Sequence, residues 1–171
     1  MNICPAVILG VDPGFSVTGY AILKKEGGKA LLLDYGYLKM SSQKSLVERV
    51  GIFYNMFHEK IAQHQVTEIA LETSFLGKNA QTFLKLGYLR GVLYLLAAQG
   101  GLVVNEFAPR EVKCTVTGYG AASKDQVATM VLRLFPRLAE LGTIERQDVT
   151  DAMAVCLCGF WQSKRIQAER L

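Results

Sequence analysis

Histidine and cysteine are scarce in this 171-residue chain: two His (His58, His64) and four Cys (Cys4, Cys114, Cys156, Cys158). Cys156 and Cys158 are separated by a single residue and both histidines lie in another segment, so no zinc spacing is present. The thiols read as free, partly buried groups in a reducing compartment. Long hydrophobic runs are also missing. No run is longer than Val92 to Ala98, which falls far short of the roughly 20 residues of a membrane span. The apolar run Ile3 to Val11 has no basic lead-in and ends on Asp12, so no secretory signal is expected. Nor is there a large excess of one charge. The 19 Lys+Arg against 15 Asp+Glu leave +4, a weak pull toward an anionic partner.

What is there is ordinary for a globular protein: 50% apolar and 20% charged residues, which excludes a disordered or low-complexity chain. The length predicts one domain over residues 1–171 that needs neither disulfides nor a structural metal to fold. A cytoplasmic location with no membrane contact is expected.

Hydrophobic patterning orders the elements. Ala6 to Asp12 is an apolar, β-branched run closed by the turn signal Asp12-Pro13-Gly14. A second strand, about Ser16 to Lys24, and a third, about Ala30 to Lys39, flank the turn Glu26-Gly27-Gly28-Lys29, giving an antiparallel meander. Leu46, Val50, Phe53, Tyr54, Phe57 and Ile61 then form one apolar stripe on a long helix. Thr67 to Glu72 is a fourth strand, Asn79 to Gln99 a helix, and Leu102 to Phe107 a fifth strand. Pro109 opens a short helix to Thr117, Ser123 caps another to about Phe135, and the last runs from about Gln147 to Ser163. The order βββαβαβααα predicts an α/β fold: a five-stranded mixed sheet, helices on both faces, with strands one, four and five parallel.

Most acids need no special account. Glu48, Glu59, Glu140, Glu145 and Glu169 lie among basic residues and read as solvated. Asp12 and Glu72 each end an apolar strand, and parallel neighbours would bring those ends together, where open α/β sheets place their sites. Asp148 and Asp151, spaced i and i+3, share a face near the start of the last helix. Taken singly, Asp12 suits a turn and Asp148 a helix cap. Glu72 has no such local use and would be desolvated unless paired or metal-bound. Four clustered carboxylates suit hard divalent cations, and two such ions suit phosphodiester hydrolysis.

The same strand ends carry basic segments: Lys78 in the loop after Glu72, Arg110 and Lys113 on the short helix, and Lys124 after the loop from Gly118 to Ser123. Lysines beside an acidic cluster suit a protein that holds a polyanion near metal. Phe75, in the loop after Glu72, either stacks on bases or closes the sheet edge. The second long helix carries more apolar residues, Phe83 to Leu96, than one stripe against a sheet requires. It is the candidate interface of a dimer, with Leu89 placed on its outward face, the alternative being a helix buried on both sides within one monomer.

Several segments together resemble one family. Leu9-Gly-Val-Asp-Pro-Gly14, Leu71-Glu-Thr-Ser-Phe-Leu-Gly-Lys-Asn79, Leu84-Lys-Leu-Gly87 with Arg90-Gly91, Ala108 to Lys113, Val116 to Gly120, Lys124 to Val127 and Asp148 to Ala154 are similar to the RuvC-type Holliday junction resolvases. The resemblance is collinear from about residue 8 to 158. It implies an RNase H-like fold, Asp12, Glu72, Asp148 and Asp151 as catalytic metal ligands, and two Mg2+ ions per subunit with Mn2+ able to substitute. It further implies Phe75 as a junction wedge, with Lys78, Lys113 and Lys124 on DNA. A homodimer that nicks four-way junction DNA symmetrically, in recombination and repair, follows, as does a branch-migration helicase complex as partner. Phe15 stands where the family usually has a small or polar residue, and Asp148 where some members have His. Rival readings are an RNase H-fold nuclease acting on RNA or RNA–DNA hybrid, a non-catalytic junction-binding protein, and an actin-like ATPase lobe. The last needs two lobes, and the length supplies one.

Overall fold

The computed structural model describes residues 5–73, 80–141 and 143–168, with side chains at all of these except 143–146 and 164–168. Strands β1 (Val7–Asp12), β2 (Val17–Glu26), β3 (Lys29–Lys39), β4 (Glu68–Glu72) and β5 (Val103–Phe107) form one sheet in the order β3-β2-β1-β4-β5. β1 pairs antiparallel with β2 and parallel with β4, and β4 pairs parallel with β5. The meander and the parallel centre are thus as the patterning predicts.

Period-two alternation splits the core between the two faces. Leu9, Val11, Ile22, Ile69 and Leu71 face α1 (Leu46–His64) and α2 (Ala80–Gly100), which contribute Phe53, Phe57, Leu89 and Leu93. Ile8, Ala21, Leu23 and Ala70 face α5 (Thr143–Ala168), and α3 (Pro109–Thr117) and α4 (Lys124–Leu134) pack outside it. Helix α5 is therefore covered on both sides, and Val149 through Phe160 are almost wholly buried. Two of the helix starts are reciprocal capping boxes, Ser45 with Glu48 on α1 and Ser123 with Gln126 on α4.

Three expectations need correction. Helix α5 begins at Thr143 and ends at Ala168, not at Gln147 and Ser163. No proline interrupts that span, and its glycine, Gly159, is a packing residue: a Cβ there would press on Ile8 and Ala70. Asp148 accordingly lies inside the helix, which removes a capping role. Leu89 is fully buried, whereas Leu84 (57% exposed), Tyr88 and Leu95 (50%) face outward. Because α2 is apolar all round, its sequence did not tell the two faces apart. On α1, Leu46 is exposed, so the buried stripe is shorter than the periodicity suggests.

Candidate active site

Alternation along the strands decides where the carboxylates point. On β1, Ile8 and Gly10 face α5, so Asp12 does as well; on β4, Ala70 faces α5, and Glu72 shares its side. The β1–β4 ladder ends on the pair Val11 and Leu71, and Asp12 and Glu72 follow at adjacent strand ends.

Glycine brings α5 down onto these ends. A Cβ at Gly10 would collide with Cys156 and the Ala152 carbonyl, and one at Gly19 with the Asp148 carbonyl. Gly19 is the cross-strand partner of Asp12. The start of α5 therefore rests against the residue beside Asp12, and Asp151 follows Asp148 by nearly one turn.

The result is a cleft of about 240 Å3 lined by Asp12, Glu72, Asp151, Lys113 and Lys124 over an apolar floor that includes Val112, Val127 and Val155. Lys124, 69% exposed at its side chain, reaches Asp151 Oδ2 with Nζ at 3.0 Å. Burial pushes Asp12 up to about 7, and the negative charges of Asp151, Glu72 and Asp148 add to this against the pull of Lys124. Glu72 is raised by burial and by Asp151, opposed by Lys124 and Lys113. The Asp151 carboxylate raises Lys124 and holds it as an ammonium.

The structure thus brings together Asp12, Glu72, Asp151, Lys113 and Lys124, with Asp148 close enough to act on Asp12 although it does not line the cleft. Phe75 and Lys78 lie outside the described residues. Among the described residues, no three acids, histidines or cysteines converge into a set enclosing an ion. The donor chemistry nonetheless fits a hard divalent cation: desolvated, mutually repelling carboxylates are what such a charge relieves.

Sequence reasoning gave no role to the loop tie beneath Asp12 or to a buried cation on α2. Thr18 Oγ1 donates to the Gly14 carbonyl at 2.8 Å and accepts from the Gly14 amide, while Arg49 stacks on Phe15 and donates to its carbonyl. Arg90 donates to the main chain of Glu72. Its signal in the sequence is isolation: no other charge occurs between Lys85 and Glu106.

The chain matches the family described as crossover junction endodeoxyribonuclease RuvC over residues 8–159. The RuvC of Chlorobium phaeobacteroides is 45% identical over 152 residues, covering 89% of this chain and 80% of its own. The solved RuvC of Thermus thermophilus superposes with a TM-score of 0.80 at 28% identity, covering 92% of this chain and 96% of that one. The Thermus protein in complex with a Holliday junction substrate gives 0.78 at 26%, with coverage of 92% and 96%. The architecture is RNase H-like. Sharing its residues with one RuvC protein and its backbone with another, this chain belongs to the RuvC family of crossover junction endodeoxyribonucleases.

Proposed function

We propose that this chain is a structure-specific endonuclease that resolves four-way DNA junctions by paired symmetric nicks, as one nuclease domain over residues 1–171. The observation that supports this most is the cleft in which desolvated Asp12 meets Glu72 and Asp151 beside Lys124. Nucleases of this family use a divalent metal. Asp12, Glu72, Asp148 and Asp151 would hold two Mg2+ ions, or Mn2+ in their place, supplying positive charge for the attacking and leaving oxygens of phosphodiester hydrolysis.

The chain's own residues bind and orient the substrate. Lys113 and Lys124 stand at the cleft as phosphate contacts, and Phe75 and Lys78, which follow Glu72 in sequence, would meet the junction. The outward face of α2, with Leu84, Tyr88 and Leu95, is the surface for a second copy, because an isologous dimer sets two identical sites about one axis. No described helix is long and apolar enough to cross a membrane; a cytoplasmic enzyme working with a branch-migration helicase complex completes the reading. Incubation of the protein with a labelled four-way junction, a linear duplex and an RNA–DNA hybrid, in Mg2+ or EDTA, tests it. Paired nicks in the junction alone, abolished by EDTA, are expected. Equal cleavage of the hybrid would move the reading to an RNA-directed nuclease.

A further inference from the structure

Helix α2 buries Arg90 to 8% exposure, a costly place for a cation unless its donors all find acceptors. Nη1 donates to the main-chain carbonyl of Glu72 at 2.5 Å. Nη2 donates to Glu106 Oε1 on β5 and to the Tyr94 hydroxyl at 3.0 Å. That hydroxyl in turn donates to the same Glu106 oxygen at 2.7 Å, and the guanidinium lies 5.8 Å from the Tyr94 ring centre. The fork thus joins the backbone of one strand to a carboxylate on the next.

Glu72 is where such a tie matters. The β1 ladder stops at Leu71, so on that side Glu72 stands beyond the last pair. On the other side it pairs with Phe107, whose carbonyl accepts from the Thr73 amide at 2.8 Å. Glu106 and α2 lie on the sheet face opposite the cleft, so Arg90 grips the main chain from behind while the Glu72 side chain points to Asp12.

We propose that Arg90 is a positioning residue for cleavage: by fixing the Glu72 backbone it holds the Glu72 carboxylate toward Asp12 and so sets the affinity for metal. This rests on the reading that Glu72 is a metal ligand. Arg90 touches no reacting atom, so its effect falls on metal occupancy rather than on the rate once metal is bound. Residues that orient a ligand from outside the coordination sphere change metal affinity by about 10–100-fold when replaced. Lysine keeps the charge but lacks the fork that reaches a carbonyl and a carboxylate together.

The test compares Arg90→Met, Arg90→Lys and Glu72→Gln by Mn2+ titration calorimetry without DNA, and by the Mg2+ dependence of junction cleavage. In Arg90→Met, Mn2+ affinity should fall and half-saturating Mg2+ rise by about 10-fold or more, with the rate at saturating Mg2+ returning close to that of the parent. Arg90→Lys should lie between the two. Glu106 is exposed to solvent at 42% of its side chain, so it can hydrate when its partner is removed. If Arg90→Met fails to fold, Arg90→Lys alone decides. Variants with a lower melting temperature but unchanged Mn2+ affinity and half-saturating Mg2+ would overturn the proposal, leaving Arg90 purely structural. Normal Mn2+ binding by Glu72→Gln would overturn the ligand reading itself, and the proposal with it.

Discussion

The carbonyl of Asp148 lies against the α-carbon of Gly19, with no room for a side chain between them. Since Gly19 pairs with Asp12 across the β1–β2 ladder, this contact sets how near α5 comes to the first carboxylate. Gly19→Ala should therefore lift the start of α5, at a cost of about 1–3 kcal/mol for overpacking, and should reduce cleavage well beyond what lost stability explains. Gly51 on α1 has open space around it, and Gly51→Ala should stabilise by about 0.5–1 kcal/mol with cleavage unchanged. Melting curves and junction cleavage on the two variants check the contrast.

Asp12→Asn, Glu72→Gln, Asp148→Asn and Asp151→Asn should each abolish cleavage and leave junction binding largely intact. Binding rests on contacts between lysine or arginine and phosphate, which loss of a negative charge does not weaken. Gel shift and cleavage on the same preparations decide it. A variant with near-normal cleavage removes that residue from the site.

The raised Asp12 carries a signed consequence for stability. Its folded value, about 7, stands above the ordinary carboxylate value of 3.8. Between those limits the native state binds the extra proton, so the contribution to stability is full below about pH 4 and is lost as pH rises through about 7. Metal-free protein should lose melting temperature across that interval relative to Asp12→Asn. Added Mg2+ should restore more of it at the upper end, because the cation binds the ionised carboxylate. A pH series of thermal melts in EDTA and in Mg2+, giving parallel curves for parent and variant, would count against the assignment.

Charging the outward side of α2 should split a dimer without unfolding the chain. Leu84→Asp or Leu95→Asp is expected to sediment as a folded monomer that nicks without pairing its cuts. Leu89→Asp, by contrast, places a carboxylate at a fully buried position and should lose the fold. Sedimentation of the parent as a monomer at micromolar concentration, with paired cuts retained, would contradict the dimer.

The strand ends were legible because two apolar runs terminate on acids, and the short helix because Pro109 sits at its first position. Ser123 marked the start of α4, and so the place of Lys124, through side-chain capping chemistry. Other features had no local signature. The depth to which α5 settles depends on Gly10 and Gly19, more than a hundred residues earlier, and only the packed structure shows their clearance. Arg90 was visible as a solitary charge, but its partners are a backbone atom at Glu72 and a carboxylate on another strand. The two faces of α2 differ in what covers them, not in composition, which is why Leu89 was misplaced.

The burial of α5 between sheet and outer helices also governs when activity can first arise during folding. The cleft draws on residues 12, 72, 113, 124 and 151, and the last comes from α5, the helix that covers one face of the sheet. Until that helix docks, Ile8, Ala21, Leu23 and Ala70 have no cover and Asp12 faces water. A chain in which α5 has not yet docked can pair its strands yet carries neither a closed core nor a complete cleft. Cleft and core are thereby completed in one event, the docking of α5.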